Sequence, residues 1–209
     1  ASRAEEGLST VLVTLIAVTG ASTRNPGTHM AVAEDGSFSG SFSGGCVETA
    51  VVAEALDVLQ CGMPREIRFG AGSPYLDIRL PCGGSIDLLF TPVADSAVIY
   101  DINNQLVRRE PFTIDLDRTS NHIGCSAQSS HKIAVEQAES RILVHHIPAA
   151  RIIIIGHGPS VGSLVALAGS YDINCTVLSP DPVVIDQVRA LGRPAHLLKT
   201  PEATDLLDP

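Results

Sequence analysis

From Thr10 to Val18 the chain is almost continuously apolar and β-branched, the pattern of a strand buried on both faces. Met30 to Ala33 and Phe38 to Phe42, around Gly40, predict two short strands joined at Glu34-Asp35-Gly36-Ser37, an Asp-Gly hairpin signal. Apolar positions then shift to helical spacing at Val47, Val51, Ala55, Leu56 and Leu59. Ser43 is the expected N-cap, and Gly62 with Pro64 the expected end. Arg65 to Phe69 and Ile86 to Phe90 read as further strands, so residues 1–95 are expected to form a small α/β domain.

Residues 96–150 form a less legible connecting region. Val98 to Tyr100, Phe112 to Leu116 and Arg141 to His145 read as strands, and the polar stretch Asp117 to Ser130 as a loop or lid. The pattern sharpens at the apolar run Arg151-Ile152-Ile153-Ile154-Ile155, followed by Gly156-His157-Gly158-Pro159-Ser160-Val161-Gly162. Helical spacing at Val161, Leu164, Val165 and Ala168, a strand at Cys175 to Leu178, a helix at Val183 to Leu191 and a strand at Ala195 to Leu198 follow. This order is that of a Rossmann-like βαβ unit over residues 151–209. It amounts to half of a doubly wound sheet, expected to be truncated or completed by a partner chain. The predicted class is α/β, a small amino-terminal domain plus this partial carboxy-terminal one.

Composition narrows the function. Of 209 residues 44% are hydrophobic and 18% charged, enough for a packed core. With 14 Lys and Arg against 23 Asp and Glu, a net charge of −9, and no Trp, the chain lacks the cationic excess and stacking platforms of a nucleic-acid binder. No apolar run approaches the roughly 20 residues of a membrane span, and no secretory signal is visible. Five cysteines without a CxxC spacing suit reduced thiols, and a cytoplasmic location is expected.

The stretch Ser39-Gly40-Ser41-Phe42-Ser43-Gly44-Gly45-Cys46 carries the clearest candidate chemistry. Glycines allow close backbone approach, and free N–H groups at a helix start favour an anion and a thiolate. The same glycines also suit a plain strand-to-helix turn with Cys46 in the core. Pro81-Cys82-Gly83-Gly84 repeats the Cys and Gly-Gly pairing in mirror order, which suggests two thiols facing one cleft. Arg24, in the turn-rich loop Thr19 to Gly27, is a candidate clamp for phosphate or carboxylate. His29 reads as a ligand or, more simply, a hydrogen-bonded structural residue. His145 and His146 fall on opposite faces of a strand, which disfavours joint metal binding. Gly156, Gly158 and Gly162 are candidate phosphate-loop positions. The acidic residue expected after the second strand is replaced by Ser179, with Asp181 two residues on between prolines, which disfavours NAD(P).

Together, Gly20-Ala21-Ser22-Thr23-Arg24 with Pro26-Gly27, Ser41 to Glu48 (SFSGGCVE), Arg68-Phe69-Gly70 and Leu80-Pro81-Cys82-Gly83-Gly84 resemble the amino-terminal domain of the XdhC/CoxI family. The Gly156 to Gly162 loop resembles that family's Rossmann-like domain. The resemblance implies an accessory protein, a chaperone more than a turnover enzyme, with no catalytic residue assigned. It would bind molybdenum cofactor (molybdopterin), support its sulfuration and deliver it to a xanthine dehydrogenase-type apoenzyme, with a cysteine desulfurase as a further partner and a homodimer as the expected state. Cofactor contacts would come from Arg24, Ser43, Gly44, Gly45, Cys46, Cys82, Gly83, Gly84, Gly156, Gly158 and Gly162, with Cys46 and Cys82 as soft ligands near the metal. The alternative is an NAD(P)-dependent oxidoreductase using the Gly156–Gly162 loop.

Overall fold

The computed structural model describes residues 8–45, 47–73, 80, 83–127, 134–171 and 173–198. The chain divides into two compact units, Ala1–Ile147 and Pro148–Pro209.

The first unit is built on β1 (Thr10–Thr19), β2 (His29–Ala33), β3 (Phe38–Ser39), β4 (Arg65–Gly70) and β5 (Ser85–Pro92), with α1 (Glu48–Cys61) on one face. The sheet is antiparallel throughout, in the order β3-β2-β1-β5-β4. Strand β1 lies at its centre, and its alternate residues enter two different cores. Val11, Val13 and Leu15 pack with Val51, Ala55 and Val58 of α1, whereas Leu12 and Ile16 face a second sheet. Burial on both faces explains why β1 lacks the polar alternation of a surface strand.

The second sheet comes from β6 (Phe112–Asp117), β7 (Ile123–Ser126), β8 (Val135–Gln137) and β9 (Arg141–His146), in the order β7-β6-β9-β8. Phe112, Ile114, Leu116, Ile142 and Val144 close the second core against Leu12, Ile16 and Leu89. The segment expected as a connecting region thus supplies a layer of the first unit up to Ile147. Where β1 bulges between Leu15 and Ala17, the Ile16 carbonyl accepts a hydrogen bond from Gln137 Nε2 at 2.9 Å, tying β8 to the first sheet.

Three local expectations are corrected. Val98 to Tyr100 is the start of a helix, α2 (Ala97–Arg108), not a strand. Val98 and Ile102, four apart, lie on one helical face against the second core, while Tyr100 and Val107 stay exposed. The weak helix formers Asn103 and Asn104 mask that period. The polar stretch after Asp117 contains β7, whose Ile123 pairs with Leu116. Strand β3 stops at Ser39, because Ser41 and Phe42 donate to a side chain of α1 instead of continuing the ladder.

The second unit is a parallel sheet of β10 (Arg151–Ile155), β11 (Asn174–Ser179) and β12 (Ala195–Leu197), connected through α3 (Pro159–Ser170) and α4 (Pro182–Ala190). Ile154, Val161, Val165, Cys175, Val177 and Val188 form its core. Both units are α/β, as the patterning predicts. No helix among the described residues is long and apolar enough to cross a membrane.

Candidate functional site

The loops that carry the first unit's candidate residues gather at one end of the first sheet, whereas Gly156, Gly158 and Gly162 lie in the second unit. Thr19, at the end of β1, pairs with Ser85, at the start of β5, and Ser85 pairs with Gly70, at the end of β4. Backbones pass so closely here that only glycine fits. A Cβ on Gly84 would lie 2.3 Å from the Thr19 carbonyl oxygen, and one on Gly70 would lie 2.3 Å from that of Gly84. The loop after β1 is held in turn to the loop before α1, since Thr23 Oγ1 donates to the Phe42 carbonyl at 3.0 Å. Arg24, Ser43-Gly44-Gly45 and Gly83-Gly84 are thereby carried on three connected loops. Cys46 and Cys82, expected to face one cleft, lie outside the described residues.

Glu48, in the first turn of α1, organises the loop before it. The side chain is buried, and its Oε1 accepts from Ser41 Oγ (2.8 Å), Phe42 N (2.9 Å) and Ser43 N (2.9 Å). Its Oε2 accepts from Ser43 Oγ (2.8 Å), Gly45 N (2.8 Å) and Val47 N (3.2 Å). Burial pushes the carboxyl up, but hydrogen bonds from Ser43, Ser41 and Phe42 outweigh it and hold Glu48 well below the usual carboxylate range. The anion enclosed by these amides is the protein's own. Gly44 N–H is also engaged, donating to Ser41 Oγ at 3.1 Å. Ser43 is not the N-cap of α1; Val47 holds that position, and Ser43 Oγ accepts the Val47 N–H at 3.0 Å. The cue for Glu48 was present in Gly45-Cys46-Val47-Glu48, where an acid three residues past a turn glycine can reach back as the third helical residue of a capping box does.

Among the described residues, nothing lies within 4 Å of a Cβ built on Gly44, Gly45 or Gly83, and Arg24 is exposed. Among the described residues no group of three or more His, Cys, Asp or Glu is placed to hold a metal.

The histidines make a separate cluster between the sheets of the first unit. His29 Nε2 and His146 Nε2 lie 3.0 Å apart, so one ring donates its N–H to the other, and Thr14 Oγ1 is 2.9 Å from His29 Nδ1. His146 also stacks on Phe112, with ring centroids 4.7 Å apart. His145 turns the other way, to Thr113 Oγ1 at 2.9 Å. Burial, then repulsion from His146, lowers the His29 pKa to about 3; burial, then His145, lowers that of His146. Both rings are therefore neutral near pH 7.

In the second unit, Gly158 is the N-cap of α3, with Pro159 in its first turn and no side chain capping it. Gly162 lies inside the helix, with open space where a Cβ would stand. Ser179 is fully buried at the end of β11. Asp181 is the N-cap of α4, its Oδ1 accepting the Val183 N–H at 2.9 Å.

Residues 3–70 match the XdhC and CoxI family. The molybdenum cofactor insertion chaperone PaoD of Escherichia coli (strain K12) is 41% identical over 119 residues, 57% of this chain and 37% of that protein. The chain thus spans little more than a third of the length of this curated relative. A crystal structure of a xanthine dehydrogenase from Bacillus halodurans matches with a TM-score of 0.73 at 22% identity, covering 99% of this chain and 68% of that one. At that identity the likeness is one of fold.

Proposed function

We propose, from the match of residues 3–70 to the XdhC and CoxI family, that the chain is an accessory protein of that family that binds molybdenum cofactor. The cofactor would be received at the loop end of the first sheet and passed to a xanthine dehydrogenase-type apoenzyme, its sulfuration being supported on the way. The observation that carries the reading is the linkage of the three motif loops through the Thr23–Phe42 hydrogen bond and the Gly84–Thr19 approach. The name of the 41% identical relative points the same way.

The residues fit such a group in a particular manner. The inner amides of the SGG turn are taken by Glu48, so a cofactor phosphate would be held by the Arg24 guanidinium, with the open backbone of Gly44, Gly45 and Gly83 giving close access. Cys46 and Cys82 would offer soft sulfur ligands. When bound, the cofactor would supply the molybdenum centre and its terminal sulfur; the chain would supply orientation through Arg24 and the glycine backbone. Sulfuration would need a sulfur donor such as a cysteine desulfurase.

The competing NAD(P) reading rests on the Gly156–Gly162 turn and the parallel βαβ order. It is the weaker one, because Asp181 is committed to capping α4 and Ser179 is buried.

Pterin fluorescence of protein purified from cells that make the cofactor tests the proposal. Cofactor is expected with the unaltered chain, and a several-fold lower yield with Arg24→Ala, whose stability should change by no more than about 0.5 kcal/mol because the side chain is exposed. Unaltered protein that retains no pterin while binding NAD(H) at a dissociation constant of about 1 μM would replace this function with the alternative.

A further inference from the structure

We propose that Glu48 is the positioning residue of the candidate site, an internal anion that fixes the backbone on both sides of Cys46. The inference rests on the cofactor-binding reading for its functional consequence, though its structural part stands apart from it.

Six donors converge on this one carboxylate, and four of them are backbone N–H groups, of Phe42, Ser43, Gly45 and Val47. The last two belong to the residues immediately before and after Cys46, and both donate to the same oxygen, Oε2. Two further bonds of the turn, Gly44 N–H to Ser41 Oγ and Val47 N–H to Ser43 Oγ, end on hydroxyls that themselves donate to Glu48. Among the described residues nothing lies within 4 Å of a Cβ built on Gly44 or Gly45, and both take positive φ, 75° and 124°. A glycine turn with such freedom is held by its hydrogen bonds or not at all. An ionised carboxylate suits this task because both oxygens accept and neither donates, so three donors can gather on each oxygen, with the Val47 N–H shared between Oε2 and Ser43 Oγ. A glutamine in its place would present an N–H₂ group to donors, leaving about half of them facing a like partner.

The same geometry makes a distinctive prediction. Removal of the side chain beyond Cβ leaves a cradle of N–H and O–H donors shaped for a small carboxylate. Formate should occupy the cradle in Glu48→Ala and restore the turn, whereas chloride at equal ionic strength should not.

Amide hydrogen exchange on the full chain tests this without the cofactor. In Glu48→Gln, exchange at Phe42, Ser43, Gly45 and Val47 is expected to accelerate at least tenfold while the amides of β1 and β5 hold their rates. In Glu48→Ala, saturating formate should return those four amides to within a few-fold of the unaltered rates. Ser43→Ala keeps the carboxylate and removes one donor to it together with the Oγ that accepts the Val47 N–H, so Phe42, Ser43 and Gly45, read without Val47, should exchange faster at smaller amplitude, and this variant serves if the Glu48 variants lose global stability. Unchanged exchange at the four amides in Glu48→Gln, or acceleration in Glu48→Ala that formate and chloride relieve equally, overturns the assignment. Pterin retention is then compared across the set. It should fall with Glu48→Gln and recover with formate in Glu48→Ala; normal retention with the four amides fully exchanging would show that Glu48 does not position the site. Absence of pterin from the unaltered protein would instead overturn the cofactor reading and leave the exchange results standing.

Discussion

At the turn before α1, four backbone N–H groups close on a carboxylate from within the chain. At the turn before α3, Gly158 caps the helix with no side chain to help, and the nearby acid Asp181 caps α4 instead. Both segments read alike in sequence, as glycine-rich turns between a strand and a helix. Their electrostatics differ because one supplies its own anion and the other does not. A glycine-rich turn at a helix start therefore indicates donors, while the nearest acid within reach decides whether those donors are left for a ligand. In the first unit that acid is Glu48, which takes the N–H groups of Phe42, Ser43, Gly45 and Val47.

The sharpest break in the comparison is to remove the internal anion. Glu48→Leu strands six donors around an apolar side chain and is expected to cost about 3–5 kcal/mol, read from urea unfolding at pH 7. The pH dependence follows from the depressed carboxyl. An acid held below its ordinary pKa of 4.5 contributes stability that is complete above that value and is lost as pH falls beneath it toward the folded-state pKa. The unaltered protein should show this loss below about pH 4.5, and Glu48→Leu should lack it. A variant as stable as the parent would mean that the turn has no need of its anion.

Glycines of the two units differ next. Gly84→Ala places a Cβ 2.3 Å from the Thr19 carbonyl oxygen, a backbone atom that can yield only by moving β1. A loss of about 1–3 kcal/mol is expected, with Tm lowered accordingly. Gly162→Ala is the opposite case, since the position is helical with open space around it. There alanine should raise stability by about 0.5–1 kcal/mol. If both substitutions destabilised equally, the contrast between a crowded loop junction and an open helical turn would be lost.

Much of the architecture was legible in the chain itself. The unbroken apolar run of β1, the helical spacing of α1 and the strand–turn–helix order after Arg151 each follow from local period and turn chemistry, and each is present. The glycine-rich turn before α1 was also legible as a turn, and Gly44 and Gly45 both take positive φ there. What could not be read there was which groups the motif would face. Strand β1 shows only that both its faces are buried; that β6 to β9 cover one of them was hidden by an intervening polar stretch and by a helix with two asparagines. Likewise, Gly45-Cys46-Val47-Glu48 implies a helix start, but it does not state that Ser41 and Phe42 fold back to the same carboxylate. Hydrophobic period and backbone propensity act between near neighbours and are written in sequence order. The pairing of donors with acceptors, and of one sheet face with another, depends on distances that exist only once the chain has closed, and so tertiary structure alone assigned the loop's amides to Glu48.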